Sequence, residues 1–387
     1  MAGSPNVGGV IPFTGAALPY REQFYSQTWT PTTSAQNVSP SGNAIKSYGF
    51  ARALRVYTST TGGGGGNFAA DAPWNTYSNV QVTQPNGEEM YGGPTFTGYH
   101  AYVAAQQSAW KLNNDPAQWQ TYSATASAPV MDLPIPFEIN PQYGLGALPN
   151  QDFSAPWKVQ LTGNTIANIW TTAPTTTPAF TTAIFLDAWT VPSANNPLNG
   201  QPQQIQPVFL GTLSKWTLQS YTIPASTAYE VPFARRGNAY RKLVFIVRGA
   251  ANARVATSNF PNPLALRWDG TVIRTNDTTA MWLDDEYQIR GGAASSTPAT
   301  AQTGVISLSM SAMAGIDAQG TANSLGEEPF WGTVQSSTIT LSGTWGSSCT
   351  LLEQITNDVQ LVDLTGNPYQ FNQGVYLQAP AQASARP

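Results

Sequence analysis

The sequence has 387 residues, enough for two domains of ordinary size, with 41% hydrophobic and 11% aromatic residues, so a disordered chain is excluded. Only 10% of the residues are charged, too few to cover the wet faces of many helices, and the net charge of −4 argues against a basic groove for nucleic acid. The 34 glycines and 30 prolines indicate many turns. Composition therefore predicts an all-β protein.

Residues 1–19 carry prolines and glycines throughout, so the sequence predicts an extended N-terminal arm with no helix and no central strand. The arm has apolar side chains but no charge, and we expect a neighbour or a membrane surface to order it. It lacks the basic start of a signal peptide, and no apolar run is long enough to span a membrane, so we expect synthesis in a cytoplasm and at most peripheral contact with a membrane.

Alternating and β-branched segments follow in the first half of the chain. Predicted strands lie at 22–30, 47–58, 74–90, 130–139, 156–162 and 181–192. Within the third of these, Pro85-Asn86-Gly87 is a strong hairpin signal. Between them, 98–112 has approximately helical spacing of apolar residues and abundant alanine, and it is the best helix candidate.

A polar connector at 196–207 separates this half from a second series of strands. These are predicted at 215–224, 240–249, 264–274, 305–313, 337–343 and 350–364. The style of patterning restarts after the connector, which suggests two β-sandwiches of the jelly-roll kind side by side. We place the first roll at 20–195, the second at 208–370 and a C-terminal arm at 371–387.

Two glycine-rich stretches could be mistaken for phosphate-binding loops. Gly144 and Gly146 lack the third glycine of a dinucleotide turn and no helix is predicted after them, while the five glycines at 62–66 are not followed by lysine. We interpret both as structural loops.

The residues that most often carry chemistry are sparse. His100 is the only histidine, so a catalytic triad or a histidine-ligated metal would have to use it, and a packed or surface histidine is the simpler interpretation. Cys349 is the only cysteine, which excludes a disulfide within the chain, and it has no neighbouring base in sequence, so we expect a buried structural thiol.

Acidic groups provide two weaker candidates. Asp284-Asp285-Glu286, with Asn276 and Asp277 nearby, could offer oxygens to Ca²⁺ but lacks the spaced loop pattern. Glu327-Glu328 could contribute to a glycosidase pair only if folding brought two carboxylates together. The Asn37 and Asn276 sequons mean little without a signal peptide. We therefore predict no catalytic residue, no metal and no cofactor.

Three passages carry a resemblance to a known family. "YSNVQVTQPNGEEM" followed by "GYHAYVAAQQ" resembles a strand–turn–helix passage, "PIPFEINPQYGLGALPNQDFSAPWKVQL" an extended chain, loop and strand, and "VPFARRGNAYRKLVFIV" the entry to a central strand of a second roll. The layout over roughly 20–365 is similar to that of the double jelly-roll major capsid proteins of tectivirus-like, membrane-containing bacteriophages.

That resemblance implies a structural protein without catalytic residues. It implies a homotrimer of pseudo-hexagonal outline that tiles an icosahedral shell over an internal membrane, with penton or minor capsid proteins as further partners and the virion as its location. It implies no sequence-specific binding of nucleic acid. Two other classes remain open from the residues alone: a phage tail, receptor-binding or carbohydrate-binding β-protein, and a β-sandwich glycosidase.

Overall fold

The computed structural model describes most of both halves of the chain. The described residues are 9–106, 129–141, 144–207, 210–224, 226–233, 238–278, 281, 303–309, 331–332 and 338–360. Within them the chain is mostly β-strand, as the composition predicted.

Strands of the first half occupy the segments that the alternating pattern indicated, with several short additions. They are β1 (Pro19–Trp29), β2 (Gln36–Asn37), β3 (Phe50–Thr61), β4 (Asn67–Phe68), β5 (Tyr77–Thr83), β6 (Glu89–Gly92), β7 (Met131–Pro136), β8 (Leu148–Pro149), β9 (Lys158–Gly163), β10 (Trp170–Thr172) and β11 (Ala179–Trp189). The helices are α1 (Phe13–Ala16), α2 (Gly98–Gln106) and α3 (Ile166–Ile169).

The second half has a similar set. Its strands are β12 (Leu213–Thr222), β13 (Ala228–Pro232), β14 (Ala239–Arg248), β15 (Leu264–Trp268), β16 (Thr271–Asp277), β17 (Val305–Ser309), β18 (Trp331–Gly332), β19 (Ile339–Thr344) and β20 (Leu351–Gln360). Short 3₁₀ turns lie at 41–43, 74–76, 250–252 and 257–259.

Each half forms two facing sheets with the same strand order. In the first roll these are sheet A1, β1-β11-β3-β7, and sheet B1, β2-β9-β5-β6. In the second roll they are sheet A2, β12-β20-β14-β17, and sheet B2, β13-β19-β15-β16. Leaving out the short strands β4, β8, β10 and β18, each roll has eight strands, which can be numbered one to eight in chain order. In this numbering both A sheets have the strand order 1-8-3-6, and both B sheets have the order 2-7-4-5. This shared order is that of a jelly roll.

The A sheets also share an irregularity in the same place. The register between β3 and β11 slips at Arg52, and the register between β14 and β20 slips at Arg241. An extra residue in one strand of an antiparallel pair is a β-bulge. The two bulges therefore give a common reference for aligning A1 with A2 row by row.

The rolls are joined through a continuous sheet. Strand β6 at the edge of B1 lies parallel to β12 at the edge of A2, with Tyr91 opposite Trp216. Each roll has its own apolar core, and the core of the first roll extends over the outer face of A2. Strand β14 is consequently buried at nearly every position, whereas β1 alternates between exposed and half-buried positions along most of its length. A strand covered on both faces needs an apolar run, which explains why β14 is so hydrophobic in sequence.

Residues 9–18 differ from the expectation of an independent arm. Phe13 is 1% exposed and packs edge-to-face on Phe50, with ring centroids 5.3 Å apart. The backbone of Ile11 pairs with the connector at Pro202 and Gln203. The expectation of no helix was wrong for Phe13–Ala16, which form a single turn. The prolines exclude a long helix but not one turn that begins after Pro12, where a proline is tolerated.

Helix α2 begins at Gly98, as the periodicity predicted. The predicted segment 107–112, residues 1–8 of the N-terminal arm and the whole C-terminal arm lie outside the described residues.

Candidate functional site at the junction of the two rolls

Helix α2 of the first roll lies against the outer face of sheet A2. His100 on this helix contacts Glu353 of β20, and four apolar side chains of A2 belong to the core cluster of the first roll. These four are Trp216, Val244, Ile246 and Ile355. The junction is therefore a packed core rather than a hinge between two separate domains.

A cluster of charged side chains lies inside this junction. From the second roll, Arg248 donates to Glu353 through Nε and, through Nη1, to the Oδ2 atom of Asp71 in the first roll at 2.8 Å. Arg254 donates to the other oxygen of Asp71 at 2.5 Å. The guanidinium of Arg254 also lies 4.8 Å from the ring centre of Tyr99. Two carboxylates and two guanidinium groups thus face each other across the boundary between the rolls.

His100 completes the cluster from the first roll. The backbone N–H of Thr97 donates to Nδ1 at 3.0 Å, so Nδ1 is an acceptor and the proton of the neutral ring lies on Nε2. Nε2 is 3.0 Å from the Oε2 atom of Glu353 and donates to it. With 2% of its surface exposed, His100 is a packed histidine, one of the two simple interpretations, packed or surface, that the sequence left open. Both ring nitrogens are engaged by the chain itself.

The cluster has a definite electrostatic character. Burial by itself would raise the pKa of Glu353, but the hydrogen bond from His100 and the charge of Arg248 outweigh burial and lower the pKa to about 2. The two carboxylates likewise outweigh burial for Arg248 and raise its pKa. The partners therefore stabilise the ionised carboxylate of Glu353 and the charged guanidinium of Arg248, and these ionic contacts connect the two rolls.

A second buried carboxylate lies within the first roll. Glu138 accepts from the Nε atom of Arg52 at 2.8 Å and from the indole nitrogen of Trp189 at 2.6 Å. Burial raises the pKa of Glu138, and these donors offset the effect only in part. The Arg52 guanidinium lies 4.1 Å from the ring centre of Trp189, so this site anchors the bulge of β3.

A shallow polar groove lies on the outer face of sheet A1. It has a volume of about 410 Å³, and its lining comprises Arg21, Arg55, Tyr57, Asp132 and Phe185. Arg55 pairs with Asp132, and Arg21 pairs with Asp187 of the neighbouring strand. Tyr57 is 41% exposed. The groove thus combines paired charges with two accessible aromatic rings.

The other residues singled out in the sequence lie apart from the junction cluster. Cys349 is buried, as predicted, and burial raises the pKa of its thiol to about 11. Gly144 has φ +66°, and a Cβ there would come within 3.1 Å of the Phe13 ring, so this turn is a structural corner against which the first described segment packs. Asn37 lies in β2.

The acidic candidates cannot be placed together. Asp284-Asp285-Glu286 and Glu327-Glu328 fall outside the described residues, and Asn276 and Asp277 lie at the end of β16. Among the residues that the structure describes, no three metal-ligating side chains cluster. In the same part of the chain, no helix has both the length and the hydropathy to cross a membrane.

Sequence reasoning missed the partners of His100. Asp71, Arg248 and Glu353 are distant in sequence, and no motif connects them. A signal was present nevertheless for one of them, because Arg248 directly follows the five apolar residues 243–247 in β14. A charged residue in a strand buried on both faces requires a partner.

Comparisons with known proteins agree with this architecture. A scan against protein-family models gives no match, and no curated protein matches significantly. Solved structures do match: the crystal structure of the STIV MCP has a TM-score of 0.57 at 11% identity, covering 88% of this chain and 96% of that one. The fold is the double jelly roll of viral major capsid proteins.

Two further structures support that assignment. The atomic structure of Sulfolobus Turreted Icosahedral Virus matches with a TM-score of 0.58 at 11% identity, over 88% of this chain and 90% of that chain. A quasi-atomic model of the PBCV-1 virus capsid matches with a TM-score of 0.53 at 11% identity, over 92% of this chain and 97% of that chain. These matches are structural proteins of viral shells and not enzymes.

Proposed function

We propose that this protein is the major capsid protein of an icosahedral virus. The observation that carries the proposal is the pair of jelly rolls with identical strand order, fused through one continuous sheet, in a chain that covers 96% of the STIV MCP. Function is not a consequence of fold alone. Here, however, the fused double roll is itself the shell-building feature, since its two rolls give one chain two similar side surfaces for neighbours.

The composition supports the same function. A shell subunit must bury large side surfaces against its neighbours, and an unpaired buried charge is costly. Only 10% of the residues are charged. The chain also has 12 Trp and 16 Tyr, and these large aromatic side chains often anchor protein interfaces. On this proposal the protein assembles as a homotrimer of pseudo-hexagonal outline, and trimers tile a bacteriophage shell over an internal membrane.

Other partners follow from the same proposal. They are neighbouring trimers, penton or minor capsid proteins and the membrane surface, and the mature location is the virion after synthesis in a bacterial cytoplasm. No direct, sequence-specific contact with nucleic acid is proposed.

Light scattering coupled to size-exclusion chromatography tests the subunit count, and electron microscopy tests the particle. We expect a mass three times the 41.3 kDa of the chain, retained in 0.5 M NaCl because few charges are available to be screened. A protein that remains monomeric at micromolar concentration and forms no particles would contradict the proposal and favour a binding or hydrolytic β-protein.

A further inference from the structure

Large apolar side chains that are exposed gather at one end of the first roll. In the described part of the chain there are eight of them, and five lie in the segments 9–18 and 190–207. These five form what we call the connector patch, and they are 48% to 94% exposed: Val10, Leu18, Val191, Leu198 and Ile205. Single exposed apolar residues are normal, but a group of them at one place marks a contact surface.

Hydrogen bonds hold the two segments of the connector patch together. The chain between β11 and β12 forms a hairpin with Leu198 near its turn, because Asn195 pairs with Pro202. The segment before α1 adds to this hairpin through Ile11. At the other end of α1, Leu18 is hydrogen-bonded to the residue that follows β11. The patch is therefore an ordered surface of the fold.

The surroundings of the patch contain no charge. Neither residues 1–20 nor residues 188–214 include an acidic residue, a basic residue or a histidine. A charged segment that covered the patch would lose its hydration without gaining a partner of opposite charge. The occupant that fits this surface is itself apolar and almost uncharged.

The chain leaves the second roll close to this patch. The last residue of β20, Gln360, pairs with Leu213 at the start of β12. Three residues before Leu213, the side chain of Leu210 packs on the small cluster that contains Phe13, between the two patch residues of the first segment. Three residues span at most about 10 Å. The C-terminal segment 361–387 therefore begins beside the end of the first roll that carries the patch.

The composition of that segment matches the patch. Residues 361–377, "LVDLTGNPYQFNQGVYL", contain eight large apolar residues, and Asp363 is their only charged residue. Residues 378–387, "QAPAQASARP", contain no large apolar residue. The first part of the segment thus has apolar groups to bury, and it begins where an uncharged apolar surface is exposed.

We propose that the connector patch is the docking surface for residues 361–377 of the same chain. Because the segment is tethered at Gln360, its local concentration at the patch is on the order of millimolar, so modest apolar contacts suffice to hold it. Docking removes Leu198 and Ile205 from water and ties the end of the second roll to the first, separately from the contact of β6 with β12. The inference concerns one chain and does not depend on the proposed self-association.

Photo-cross-linking of the full-length protein tests the contact. With a photoreactive phenylalanine analogue in place of Leu198, we expect a cross-linked product that keeps the mass of one chain on a denaturing gel. Peptide mapping should place the attachment within residues 361–377. A product with the mass of two chains would show that a neighbouring copy covers the patch. That result, an attachment elsewhere in the chain or no cross-link would overturn the inference.

Amide hydrogen exchange provides a second measurement. In the natural protein, residues 361–377 should exchange at least about tenfold more slowly than an unstructured peptide, and Leu198→Asp/Ile205→Asp should abolish this protection. The matched control is Thr172→Asp, which adds a charge at an exposed position before the start of β11, whereas the patch lies after its end. This control should keep the protection.

Circular dichroism should show the natural strand content in both variants, because all three substituted side chains are exposed. Natural protein without protection at 361–377, or equal protection in the folded double variant, contradicts the docking. If the double variant loses its strands, the cross-link in the otherwise natural chain decides. None of these results changes the expected mass of the assembled protein, so the proposed function is tested separately.

Discussion

Glu138 and Glu353 are both nearly inaccessible glutamates beside an arginine, yet their pKa values move in opposite directions. Glu138 lies within the first roll and receives one charged donor and one neutral indole. Glu353 lies between the rolls and receives an arginine and the single histidine, next to a second arginine–aspartate pair. Burial dominates at the first site and the partners dominate at the second.

The difference shows how a charge can be placed in an interior. A single arginine does not fully offset the cost of burying a carboxylate, whereas a cluster with two guanidinium groups does. Because the cluster includes residues of both rolls, ionic contacts contribute to fixing one roll against the other. The Glu138 site has no such role, since its partners belong to the first roll.

The largest expected effect comes from removing the central arginine of each site. Arg248→Ala should lower the free energy of unfolding by about 3–5 kcal/mol, because it leaves the buried Glu353 and the half-buried Asp71 with fewer partners. Arg52→Ala should cost less, about 2 kcal/mol, since Glu138 already has a raised pKa and can take up a proton. Urea unfolding at pH 7 and fixed protein concentration measures both. An equal or larger loss for Arg52→Ala would contradict the comparison.

Acid should weaken the joint between the rolls. The pKa of Glu353 is about 2 in the folded protein, below the ordinary value of 4.5, so its contribution is present above pH 4.5 and is lost as the pH falls toward 2. The contribution at neutral pH is about 3 kcal/mol. The stabilities of the natural protein and Glu353→Gln, measured by thermal unfolding, should therefore differ most at pH 7 and converge near pH 2. If the difference in stability between the two proteins did not change with pH, Glu353 would not be ionised in the folded protein.

His100 should have an intermediate effect. His100→Ala removes the donor to Glu353 and should cost about 1–2 kcal/mol, a typical loss for a buried hydrogen bond. His100→Gln is the matched variant, because its amide can still donate, and it should recover at least about half of the loss. If both variants lose the same stability, the packed ring rather than the hydrogen bond is what matters.

Glu138→Gln should have the smallest effect. The pKa of Glu138 is raised by burial, so its favourable contribution is fully present below pH 4.5 and is lost as the pH rises through the folded value. An amide there should change stability at pH 7 by less than about 1 kcal/mol. Between pH 4 and pH 7 the natural protein should lose stability relative to this variant, the opposite slope to the Glu353 pair. Parallel slopes would show that the two sites do not differ.

The order of strands in the chain could be predicted because its signals are local. Alternation at 156–162 and 337–343 indicated the strands now seen as β9 and β19, and Pro85-Asn86-Gly87 indicated the turn between β5 and β6. The short β13 was missed, since five residues ending in proline give little periodicity. The packing of Phe13 was missed because its partners, Phe50 and Trp189, are distant in sequence.

The sequence by itself determined the all-β class, the restart of the pattern after a connector and the burial of Cys349, because low charge, alternation and residue scarcity need no knowledge of neighbours. Only the tertiary structure decided that β6 joins β12, that α2 covers sheet A2 and that His100 contacts Glu353. These depend on which faces meet, and pairs separated by 253 residues leave no local trace. The same reason explains why two equivalent sheets carry different outer faces: one has its cover within the chain, and the other is open to water.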